Sequence, residues 1–146
     1  MPSPSLHQLH LDVEDVPESN LLQRLPSALD FMAAALAGGG AVLVHCAQGV
    51  SRSAAVATAH LMRTRGLDYD DALAALREGH PAAAPNEGFA AQLRLFHDMG
   101  CQLDPGGGRY TRFLLEQAGR HHDETGCVDA EALSRPEDSA AAEVRR

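Results

Sequence analysis

The chain has 146 residues, the length of one domain rather than two. Apolar residues make up 45 % of it but aromatics only 4 %, with no Trp, so the core has to be assembled from Ala, Leu and Val. A net charge of −8 excludes nucleic-acid binding driven by general electrostatics, and any phosphate site must be built locally against the overall field.

Leu9, Leu11 and Val13 alternate with Gln8, His10 and Asp12, the period of a half-buried strand, and Asp15 falls at or just past its C-terminal end. Leu21, Leu25, Leu29, Met32 and Leu36 form a stripe at helical spacing. Pro26 fits that helix only in the first turn, and Gly38-Gly39-Gly40 stops it. Residues 41–44 are a wholly apolar, β-branched run that predicts a buried strand leading into His45. After a loop, residues 53–65 are apolar on nearly every side, which predicts a central helix ended by Gly66. Asp68 caps a further helix with Ala72, Leu73 and Leu76 facing inward, ended by Gly79-His80-Pro81. Asn86 caps the next, with Phe89, Leu93 and Phe96 on its buried face. Pro105-Gly106-Gly107-Gly108 signals a linker and residues 110–119 a short helix. Residues 120–146, rich in charge and poor in large apolar side chains, read as a disordered acidic tail. The order β-α-β-loop-α-α-α belongs to the α/β class.

Chemistry concentrates in His45-Cys46-Ala47-Gln48-Gly49-Val50-Ser51-Arg52-Ser53. A cysteine ends a buried strand, Arg52 follows six residues later at a helix start, and Gly49 lets the backbone between them curl. Strand, glycine-containing loop and helix N-terminus make an anion cradle. Its N–H groups converge on one centre, the helix dipole adds partial positive charge, and the Arg52 fork can hold two oxygens of a tetrahedral oxyanion. The same field acts on Cys46. A thiol of ordinary pKa ~8.5 falls by several units at a helix N-terminus beside an Arg, and the thiolate is the nucleophile. Ser53 can donate a hydrogen bond to that sulfur as it leaves again. His45 reads as a support for the loop rather than a base. A departing ester oxygen needs a proton, and Asp15 is the best-placed donor, because the C-terminal ends of parallel strands open on one crevice. Asp12 and Glu14 are its rivals.

The bland alternatives are a turn residue for Asp15 and a plain helix cap for Asn86. Cys101 and Cys127 read as spectators, and His121-His122 with Cys127 match no zinc spacing, so no metal is expected. No run of about 20 apolar residues is present, so no membrane-spanning helix is expected. Residues 1–5 lack the pattern of a signal peptide. Three widely spaced cysteines suggest a reducing compartment, cytoplasmic or nuclear.

His45-Cys46, five residues and then Arg52-Ser53 resemble the signature of the Cys-based protein tyrosine phosphatases. Val42-Leu43-Val44 before it, Gly49-Val50-Ser51 within it, Asn86-Glu87-Gly88-Phe89 with Gln92-Leu93, and Asp15 followed by Asn20-Leu21 resemble the dual-specificity subclass. The likeness runs from about residue 6 to residue 100. Met99-Gly100 and Tyr110 are most similar to a branch that carries a C-terminal zinc-binding domain and is associated with ribosome assembly. With only Cys101 and Cys127 beyond the loop, neither that domain nor that role is carried over. The resemblance implies a phosphatase-like sheet with helices on both faces, an Asn86 hydrogen bond to the phosphate loop, and a phosphoprotein substrate with no cofactor. It also implies strands before residue 6, one of which would lie between the two strands read here. The domain is therefore expected to be incomplete at its N-terminus, with unpaired backbone in the sheet and marginal stability. The expected organisation is a catalytic domain over 6–104, a linker and short helix over 105–119, and the tail over 120–146. The expected activity is hydrolysis of phosphotyrosine, with phosphoserine and phosphothreonine as further candidates. The competing readings are an inactive phosphate-binding fragment and, lower, a phosphatase for lipid or RNA phosphates, disfavoured because the loop has no Lys.

Overall fold

In the computed structural model, which describes residues 6–47, 50–103, 107–125 and 140–145 (120–125 and 140–145 as backbone only), the alternating N-terminal stretch forms β1 (Leu6–Leu11). A tight turn closed by Val13 N–H to Leu11 O (3.0 Å) ends it, and Val13 drops into the core beyond the strand. A 3₁₀ turn at Leu22–Arg24 feeds α1 (Leu25–Ala37), with Pro26 in its first turn, where a missing N–H breaks no helical bond. Leu21, Leu25, Leu29 and Met32 are buried, while Leu36, at the end of the stripe, is 44 % exposed.

β2 (Ala41–Cys46) runs into the loop, and α2 (Arg52–Arg65) leaves it. Ala54, Ala55, Val56, Ala59 and Met62 of α2 are buried, in keeping with its all-round apolar sequence. Gly66 ends α2 at φ +66°, a conformation in which a Cβ would be strained. Asp68 caps α3 (Tyr69–Gly79) by accepting from Asp71 N–H at 2.8 Å, and Asn86 caps α4 (Glu87–Asp98) by accepting from Phe89 N–H at 2.9 Å. Phe89, Leu93 and Phe96 of α4 are fully buried, each contributing about 1.5–3 kcal/mol by leaving water. The helix expected over 110–119 is longer, α5 (Gly108–Thr125).

The last described element is β3 (Ala140–Arg145). The sheet order is β1-β3-β2, with β3 antiparallel to both neighbours, so β1 and β2 run parallel to each other one strand apart. Two expectations are corrected here. The stretch 120–146 is not wholly without structure: it holds the last turns of α5 and all of β3, while 126–139 lie outside the described residues. Nor does the sheet lack a central strand, because β3 fills the slot between β1 and β2. The physical reason is backbone demand. Two strands on either side of a vacant position sit about 10 Å apart, out of hydrogen-bonding range, and each needs partners for its N–H and C=O groups.

α1 and α2 touch each other and the sheet. Leu9, Val42 and Val44 pack toward the core they share, whereas Leu6 and Leu43, on the opposite face, are 51 % and 50 % exposed. The α/β class stands. Ala140 of β3 opposes both Leu11 and Cys46. The C-terminal ends of β1 and β2 therefore reach the same rim, which is what sets the site.

Candidate active site

Cys46, half-buried, ends β2 at that rim. Its Sγ lies 3.3 Å from Oγ of Ser53, in the first turn of α2. The thiol donates in this arrangement. Once the sulfur is a thiolate it can only accept, and the rotatable Ser53 hydroxyl can turn to donate. Arg52 opens α2, and its Nη1 reaches the Val13 carbonyl at 3.5 Å, a long contact toward the segment that carries Asp15. Ala47 follows Cys46 exposed, and Gln48 and Gly49 lie outside the described residues. His45 occupies an exposed position on β2.

The far side of the loop is strapped to the segment before α4. Val50 O accepts from Ala84 N–H at 2.8 Å, and the buried Ser51 Oγ accepts from Asn86 N–H at 2.9 Å. The expected tie from Asn86 to the loop is thus made by its backbone. Its side chain does something else: Oδ1 caps α4, and Nδ2 donates to Asp15 Oδ1 at 3.0 Å. Asn86 thus touches both the loop that follows Cys46 and the candidate acid.

Asp15 lies four residues past β1, exposed, in a loop closed by its own bonds. Ser19 N–H donates to Val16 O (3.1 Å), and Glu14 N–H donates to Ser19 Oγ (3.2 Å). The rivals differ. Asp12 Oδ1 is engaged with His10 Nε2 at 3.0 Å, and Glu14 is exposed without an Asn86-type tie to the loop. Cys101 sits apart. Burial pushes its thiol above the ordinary value, the Arg63 charge opposing this only in part, which makes it a poor nucleophile. Among the described residues no group of three or more His, Cys, Asp or Glu side chains could hold a metal ion.

One contributor was seen in the sequence only as part of the family likeness. Gln92 is 3 % exposed on the apolar face of α4, where its Oε1 accepts from Leu21 and Leu22 N–H (2.8 and 3.1 Å) and its Nε2 donates to Ser19 O (2.8 Å). Its signal was a lone amide on a helix face otherwise made of Phe89, Leu93 and Phe96.

The family model for the dual specificity phosphatase catalytic domain matches residues 2–99. The chain belongs to that family. It is similar to the human dual specificity protein phosphatase 12, 41 % identical over 112 residues, which is 77 % of this chain and 33 % of that protein. The solved structure of human DUSP28 superposes with a TM-score of 0.59 at 42 % identity, covering 62 % of this chain and 61 % of that one. A mouse putative dual specificity phosphatase, solved in complex with zinc tungstate, superposes with a TM-score of 0.58 at 45 % identity, covering 60 % and 55 %. The chain spans about a third of the length of the first curated relatives it matches. Of the residues that carry the dual-specificity phosphatase likeness, the structure gathers Cys46, Ser51, Arg52, Ser53, Asp15 and Asn86 around one rim of the sheet.

Proposed function

We propose that this chain hydrolyses phosphate monoesters on proteins, phosphotyrosine first and phosphoserine or phosphothreonine with it, through a phosphocysteine intermediate. The observation that carries the reading is the Cys46 Sγ to Ser53 Oγ pair at the head of α2, where the helix N-terminus and Arg52 add positive charge. In the first step the Cys46 thiolate attacks phosphorus. The S–P bond forms, the P–O bond to the leaving group breaks, and Asp15 gives its proton to the departing oxygen. Arg52 and the loop N–H groups hold the non-bridging oxygens. In the second step the Asp15 carboxylate takes a proton from water, whose oxygen bonds phosphorus. The S–P bond breaks, and the sulfur leaves as a thiolate that Ser53 stabilises. Asn86 donates to Oδ1 of Asp15, which leaves Oδ2 as the oxygen that carries the transferable proton. No cofactor is required, and a reducing compartment, cytoplasm or nucleus, keeps Cys46 a thiol.

The test is hydrolysis of an aryl phosphate by the purified chain beside Cys46→Ser and Asp15→Ala. Turnover abolished in the first and reduced in the second is the expected result. Binding of tungstate without any turnover in the wild-type chain would make it a phosphate-binding module instead.

A further inference from the structure

We infer that Gln92 is a positioning residue for the general acid: from inside α4 it fixes the backbone of the loop that carries Asp15. The inference rests on the proposed role of Asp15 and goes beyond it, because Gln92 touches no reacting atom.

The side chain is built into this task. Its amide is buried, and each of its two ends is used, Oε1 by the N–H groups of Leu21 and Leu22 and Nε2 by the carbonyl of Ser19. These three backbone groups close the acid loop at its return, and the partner lies 70 or more positions away. A plain core position between Phe89 and Phe96 would be filled more stably by an apolar residue, since a buried amide is tolerated only when its hydrogen bonds are complete. Here all three bonds go to one loop.

A second contact on the same helix points the same way. A Cβ on Gly88 would lie 2.0 Å from Pro17 O and 2.4 Å from Pro17 Cα, so α4 presses its backbone directly on the middle of the acid loop. Ser19 then passes the constraint back toward Asp15, because its Oγ accepts from Glu14 N–H. With Asn86 on the carboxyl itself, α4 holds the loop at its tip, middle and return. The segment before the same helix is bonded to Val50 and Ser51 of the phosphate loop. Acid and nucleophile are thereby referred to one rigid element, which is what holds a catalytic group within a fraction of an ångström of its working position.

The discriminating readout is the dependence on leaving group. Phenyl phosphate releases a phenol with a pKa near ~10 and needs a proton. Difluoromethylumbelliferyl phosphate releases a far more acidic phenol and needs one much less. The ratio of kcat/KM for the two substrates, measured on one sample, does not depend on what fraction of that sample is folded. Gln92→Met, which keeps the shape and loses all three bonds, is expected to shift the ratio about tenfold against phenyl phosphate. Gly88→Ala, which drives Pro17 away, is expected to shift it the same way. In the Asp15→Asn background, itself shifted further, Gln92→Met is expected to produce no additional shift. A Gln92→Met ratio equal to wild type, with Asp15→Asn still shifted, would overturn the inference and leave Gln92 a packing residue. A ratio unmoved by Asp15→Asn would overturn the role of Asp15 and the inference together, a distinguishable pattern.

Discussion

Asn86 donates from its carboxamide to Asp15 Oδ1 at 3.0 Å, across 71 positions of sequence, while its backbone N–H holds Ser51 Oγ at 2.9 Å. One residue thus joins the loop that carries Asp15 to the loop that follows Cys46, and its Oδ1 caps α4. The two side-chain roles can be separated. Asn86→Ser keeps an oxygen for Phe89 N–H but is too short to reach Asp15, whereas Asn86→Ala loses both. Chemical denaturation should show a loss of about 1 kcal/mol for Ala and little for Ser. Both variants should slow phenyl phosphate hydrolysis by a similar factor.

Ser53 lies in hydrogen-bond reach of Cys46 Sγ and is 7 % exposed. A hydrogen bond to a charged group contributes about 1.5–3 kcal/mol. Ser53→Ala should therefore slow breakdown of the phosphocysteine by about tenfold to a hundredfold while sparing its formation. Rapid mixing should then show a burst of phenol followed by a slow steady state, where the wild-type chain shows none.

β3 supplies the backbone partners of both β1 and β2. Ending the chain at residue 139 removes them all. The expected outcome is a lower unfolding temperature, faster hydrogen exchange at residues 41–46, and loss of aryl phosphate turnover, since Cys46 sits in that ladder. Ala142→Pro removes a single N–H from the central strand and should act in the same direction.

His60 lies half-buried in a groove it shares with Leu36, Leu43, Leu61, His45 and His80. Burial, and then the charges of Arg65 and Arg63, hold its imidazole below the ordinary value of 6.5. The unfolded chain consequently binds the proton first. Stability from this group is fully present above pH 6.5 and is lost as the pH falls from there through the folded value. Unfolding curves between pH 7.5 and about 5 should show that loss, and His60→Gln should flatten it.

The elements whose logic is local were legible. Pro26 could stand only in a first helical turn, Gly66 could end α2, and Asp68 and Asn86 could cap helices, because each effect acts within three or four residues. The nine residues from His45 to Ser53 were legible for the same reason: a strand end, a tight loop and a helix start are neighbours in the chain. Asn86 was read as a cap and as a loop tie. Its side-chain bond to Asp15 was not, since nothing in either segment marks the other. Gln92 stood in plain view as an amide among aromatics, but its partners in 19–22 exist only once α4 packs on the acid loop.

β3 was missed most completely. Ala-Ala-Ala-Glu-Val-Arg carries weak strand preference and little apolar bulk, so pattern and propensity both read it as tail. Short-range sterics, periodicity and side-chain type are enough to read the helices and their caps, the two strands beside the slot and the strand-loop-helix setting of Cys46 and Arg52. Only the tertiary structure decided which segment fills the sheet and what holds Asp15. Those choices answer to backbone groups left wanting by distant parts of the chain, and a hydrogen-bond donor or acceptor on the main chain has no letter in the sequence.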